Sequence, residues 1–121
     1  MQRNQAPTFS VPGVSFVTLA SPSRGATANS VWHFSVDPGT RGTEHRVSRE
    51  ETFVALKGRA LLTVAGTAHE LKAGDAFVIP AETALSLGNP FHERFEAIAV
   101  LPAGAQVHVG DQPAFVPPWA A

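Results

Sequence analysis

Glycine and proline interrupt this chain so often that no apolar pattern at helical spacing survives for three turns, and that excludes most architectures. Ten of each stand in 121 residues. Between them lie short runs of Val, Phe, Leu, Ile, Ala and Thr, the residues that suit a pleated, half-buried surface. Val14 to Leu19, Asn29 to Val36, Thr52 to Leu56, Ala60 to Ala65 and His69 to Leu71 read as strands. So do Ala76 to Pro80, Ala84 to Leu87 and Phe95 to Leu101, with a shorter run at Gln106 to Val109. Turn chemistry separates them at Asp37-Pro38-Gly39, Gly66-Thr67, Ala73-Gly74-Asp75 and Gly88-Asn89-Pro90, and Lys57-Gly58 reads as a hairpin. Short strands at such spacing predict an all-β sandwich or barrel with little or no helix.

The length suits one domain, which the strand pattern places at residues 14–109. Residues 1–13 are polar and broken by proline, and read as an arm. Residues 110–121 form a tail whose Pro117-Pro118-Trp119 is too apolar for water, so the tail is expected to pack on the domain or on a second subunit. Phe95 to Leu101 is apolar except at Glu96, which predicts cover on both faces.

Nine basic residues against ten acidic ones leave a formal charge of -1. Without a basic stripe, nucleic acid and anionic membranes are not expected partners. Cysteine is absent, which removes disulfides and thiolate ligands and suits a reducing compartment. With no signal-like apolar segment near the first residue, the expectation is a soluble, cytoplasmic protein.

Two runs in register carry the chemistry. The first is Gly39, His45, Val47, Glu51, Gly58; the second, fifteen residues on, is Gly74, Pro80, Glu82, Leu85, Asn89. Their spacing resembles the two motifs of the cupin superfamily, with identities lost at Val47, Glu82 and Leu85. The resemblance implies a single-domain double-stranded β-helix, the jelly-roll barrel. It also implies a metal site of three His and one Glu inside the barrel. Of that set this chain keeps His45 and Glu51, while Val47 and Leu85 stand where the other two His belong. Such ligands suit divalent transition metals, but two protein ligands fall short of the three or four that zinc sites use. The cofactor is therefore open: none, or a divalent transition metal whose ligand set has been refilled from elsewhere.

His33, Glu50 and His92 are the nearest candidates for refilling. Trp32, Phe34 and Val36 form the more apolar alternate face of their strand, which predicts that His33 points outward. Glu50 should oppose Glu51, His92 should sit at a rim, and His69 and His108 read as surface groups. Arg41, Arg46 and Arg49, interleaved with Glu44 and Glu50, read as solvated turn charges, one of which could hold an anionic ligand at the barrel mouth.

Three readings follow. His45 and Glu51 are a buried hydrogen-bonded pair, or an acid–base unit facing a pocket of Val47, Phe53 and Leu85, or part of a metal centre. Apolar walls raise the pKa of Glu51, and a protonated His45 lowers it; the sequence leaves the winner open. The functional expectation is a cupin that binds or transforms a small molecule in its cavity. The alternative is a divalent-metal-dependent isomerase, cyclase or lyase. A homodimer is expected through apolar strands and the tail.

Overall fold

The computed structural model describes residues 5–121. Eleven strands account for the regular structure: β1 Thr8–Val11, β2 Val14–Ala20, β3 Asn29–Val36, β4 Arg46–Val47, β5 Glu51–Lys57, β6 Arg59–Val64, β7 Thr67–Lys72, β8 Ala76–Ile79, β9 Leu85–Gly88, β10 Phe95–Pro102 and β11 Val107–His108. No α-helix occurs among the described residues; 3-10 turns fall at Pro22–Arg24 and Pro118–Ala120. Among the described residues no helix is long and apolar enough to cross a membrane.

A six-stranded sheet in the order β1-β2-β3-β10-β5-β8 forms one layer. The second consists of β7-β6-β9 and β11-β4, joined where His45 and Leu85 exchange backbone hydrogen bonds of 2.9 and 2.8 Å. These sheets are not closed into one continuous hydrogen-bonded cylinder. Period-two alternation sends Trp32, Phe34 and Val36 from β3, Phe53 and Ala55 from β5, and Phe95, Ala97, Ala99 and Leu101 from β10 into the interior, where all are buried. Leu62, Val64 and Leu85 from the second layer join the same core.

Three expectations need correction. Residues 1–4 of the supposed arm lie outside the described residues, but Thr8–Val11 is a strand paired antiparallel with β2, Val11 opposite Val14. Pro7 and Pro12 flank this strand, which lies at the sheet edge where proline is tolerated. Lys57-Gly58 does not close a hairpin. β5 pairs with β10 and β8 while β6 pairs with β7 and β9, so Gly58 turns a corner between layers. Its φ of 73° and the Arg94 carbonyl that a Cβ would strike make glycine necessary. Finally, β10 is buried on one face only; Glu96, Ile98 and Val100 are half-exposed on the other.

A two-residue hairpin does join β6 to β7 through Ala65-Gly66, both at positive φ (49° and 83°), the geometry that matches strand twist. Glu82 occupies a left-handed position too (φ 59°), where the related motif has glycine. Its backbone N–H donates to Val47 at 2.7 Å, and that bond helps hold a conformation costing roughly 1 kcal/mol.

The apolar tail packs on its own chain. Trp119 stacks on Phe16 with centroids 3.8 Å apart and planes at 5°. Thr18 Oγ1 donates to the Trp119 carbonyl at 2.7 Å, and Ser30 Oγ to that of Ala120 at 2.7 Å.

Candidate functional site: a hollow with a lone carboxyl

Alternation also assembles the site. His45 and Val47 are two residues apart, as are Glu51 and Phe53, and Leu85 and Leu87, so each pair shares a face. All six line one cavity of about 560 Å³, together with Trp32, Phe34 and Val36. The five residues singled out in the sequence, His45, Val47, Glu51, Phe53 and Leu85, are therefore brought together. The remaining wall adds three more rings: Phe16 from β2, and Phe115 and Trp119 from the tail. The sequence reading passed over these three. The signal was available, since an apolar tail must cover something apolar.

Glu51 stands at the start of β5 with 4% of its surface exposed. Its carboxyl makes no hydrogen bond or ion pair among the described residues, and neither oxygen is sealed from the cavity without a partner. Burial alone pushes its pKa from 4.5 up to about 8. Desolvation wins over any help from His45. The buried hydrogen-bonded pair is not formed among the described residues; His45 turns its Nδ1 to the Thr43 carbonyl at 2.8 Å. A carbonyl only accepts, so Nδ1 carries a proton, and in the neutral form of that tautomer the lone pair lies on Nε2.

Arg41 and His45 are the other ionisable side chains lining the hollow among the described residues. Arg41 is exposed and makes no ion pair there. The loop carrying it is fixed on both sides. Gly42 lies so close to the Leu87 backbone that a Cβ would clash, and Asn89 N–H donates to Thr40 at 2.8 Å. Asn89, fully buried, also donates to the Val36 and Glu93 carbonyls at 3.0 and 2.7 Å and accepts from Phe91 N–H. That asparagine is a structural clamp beneath the loop.

The donor set does not fit a divalent metal. Among the described residues no three His, Cys, Asp or Glu side chains gather. His33 points away from the hollow and pairs with Glu96 at 3.1 Å. Glu50 is exposed on the opposite side from Glu51. His92 lines a separate open cleft with Arg59, Lys72 and Phe91, and His69 packs against the Phe77 ring at 4.8 Å. Val107 and Val109 face the hollow, so His108 between them does not. No refilled ligand set exists there.

The cupin domain family model matches residues 32–101, more than half of the sequence. No curated protein matches. Similar solved structures include the polyketide cyclase RemF from Streptomyces resistomycificus, 20% identical, with a TM-score of 0.77 over 93% of this chain and 85% of that one. A sugar phosphate isomerase of the cupin superfamily from Silicibacter pomeroyi is 16% identical, with a TM-score of 0.75 over 93% and 82%. Salicylate 1,2-dioxygenase from Pseudoaminobacter salicylatoxidans is 17% identical, with a TM-score of 0.74 over 88% of this chain but only 31% of its own length. Identities this low speak for the fold alone. With two spaced motifs, an all-β architecture and a matching family model, the chain belongs to the cupin family.

Proposed function

We propose that this protein is a jelly-roll cupin that binds a small hydrophobic molecule in its hollow and uses Glu51, with His45, as a metal-free acid–base pair on it. The observation that carries the reading is one buried carboxyl, without a partner among the described residues, in a cavity walled mainly by rings and aliphatic groups. Its volume lies within the range of small-molecule sites, roughly 300–1,000 Å³. The sheet order supports the jelly-roll reading, since both layers contribute inward side chains to one interior.

A carboxyl with a pKa of about 8 is protonated at neutral pH. It donates a hydrogen bond, or a proton, to an oxygen of a bound molecule, and it becomes a comparatively strong base once ionised. His45 Nε2 is the complementary acceptor. That pairing suits proton transfer in an isomerisation or cyclisation better than a redox step. Similar folds that carry the names cyclase, isomerase and dioxygenase support small-molecule handling in general.

Assembly as a homodimer completes the proposal. Val54, Leu56, Val78, Ile98 and Val100 lie on the outer face of the six-stranded sheet, Leu56 and Val78 about half exposed, and a second copy would cover them. A monomeric mass by light scattering would remove that part. The lack of cysteine is compatible with a cytoplasmic setting.

The test of binding uses the two tryptophans of the chain, Trp32 and Trp119, which both line the hollow. Titration with small aromatic and aliphatic compounds should change their fluorescence and raise the melting temperature. Leu87→Trp, which fills the hollow, should abolish the stabilisation. Stabilisation by divalent metals and by no organic compound would refute the proposal.

A further inference from the structure

The wall chemistry of the hollow and the placement of its charges define a narrower class of ligand, an inference that rests on the binding reading above. Six rings line the cavity: Phe16, Trp32, Phe34, Phe53, Phe115 and Trp119. Two are already stacked in parallel, Phe16 on Trp119 at 3.8 Å, and Phe34 and Phe53 meet at 60° with centroids 5.3 Å apart. Such walls offer flat faces and ring edges, which favour a planar aromatic guest over a flexible aliphatic one.

Besides His45, the ionisable groups lining the hollow among the described residues are Glu51 and Arg41. Glu51 is buried in the wall with its carboxyl unpartnered. Arg41 is exposed on the loop that Gly42 pins against Leu87. Aromatic walls also attract organic cations, but here the exposed charge is positive and the buried carboxyl is neutral at pH 7. A cation would be repelled at the opening and would meet no negative charge inside.

We propose that the hollow takes a planar aromatic molecule with a hydroxyl or carbonyl oxygen at one end and an ionised oxygen at the other. The first oxygen hydrogen-bonds the Glu51 carboxyl, and the second is held at the opening by Arg41. Guanidinium favours a carboxylate-like oxygen pair, while a buried carboxyl left unpaired by the guest goes unrewarded. The two groups thus read opposite ends of the same molecule.

Calorimetry at pH 6.5 with four naphthalenes tests this: hydroxynaphthoate, naphthoate, naphthol and naphthylmethylammonium. Hydroxynaphthoate should bind about tenfold more tightly than naphthoate or naphthol, and the cation should be weakest. Glu51→Leu should erase the advantage of hydroxynaphthoate over naphthoate, and Glu51→Gln, which still hydrogen-bonds, should preserve it. Arg41→Ala, an exposed change, should erase the advantage over naphthol. Equal affinities across the four, or a preference for the cation, would overturn this inference and leave the binding reading intact. If none of the four binds and no compound in the fluorescence titration does either, the binding reading itself fails.

Discussion

The interior of this protein has two ends, built from the same strands to different standards. At one end Ala55, Ala60, Leu62, Leu71 and Phe95 are at most 2% exposed and carry no ionisable group. At the other, the same β5 together with β3, on the far side of β10, borders about 560 Å³ of open space and buries one carboxyl. Strand β5 passes from Ala55 in the packed half to Phe53 and Glu51 in the hollow within four residues. Close packing gains dispersion and hydrophobic energy; the hollow forgoes it and adds a desolvated acid. The contrast shows where stability is made and where it has been given up for a site.

Core truncation should separate the ends most sharply. Leu62→Ala should destabilise by about 2–5 kcal/mol in denaturant unfolding, since the packed end leaves a new void. Leu87→Ala, whose side chain already borders open space, should cost roughly 1–2 kcal/mol, close to the transfer term alone. Equal losses would mean that the hollow is not open in solution.

Next in size is the pH dependence contributed by Glu51. Its pKa is about 8 folded and near 4.5 in the unfolded chain, so between those values the folded state holds a proton that the unfolded state has lost. Stability therefore falls as pH rises through this window, by about 1 kcal/mol per pH unit, and levels off above it. Glu51→Gln should remove this slope. The variant should be more stable than the parent at pH 8 and nearly equal to it at pH 4.5 by thermal or urea unfolding. A slope of opposite sign would indicate that the carboxylate is paired.

The tail provides a smaller effect. Trp119→Leu keeps an apolar plug but loses the stack on Phe16, which should cost about 0.5–1.5 kcal/mol beyond any change in buried area. The smallest change is expected on the surface. Arg46 and Glu82 are 3.9 Å apart and half-exposed, so Arg46→Ala should alter stability by less than about 0.5 kcal/mol.

Much of this contrast was legible before any coordinates. Period-two alternation put Trp32, Phe34 and Val36 on the inward face and His33 outside, and the motif spacing gathered His45, Val47, Glu51, Phe53 and Leu85. Layer assignment was not legible at Gly58. A glycine at positive φ serves a hairpin and a corner between sheets equally well, and only long-range pairing of β5 with β8 and β10 tells them apart. Thr8–Val11 was hidden by its flanking prolines, which are compatible with an edge strand as well as with an arm. The competition over the Glu51 pKa depended on a rotamer: His45 could have faced the carboxyl, but its ring is held by Thr43. Phe16, Phe115 and Trp119 meet at the hollow through the path of the tail, which local pattern does not encode.

Glu51 is the most direct point of attack on this account. Carboxyl carbon NMR of glutamate-labelled protein, with Glu51→Gln to assign the resonance, gives the titration of that one group. A midpoint near 8 is predicted for a carboxyl buried without a partner. A midpoint at or below 4.5 would mean that it is solvated or paired, and the site described here would not exist.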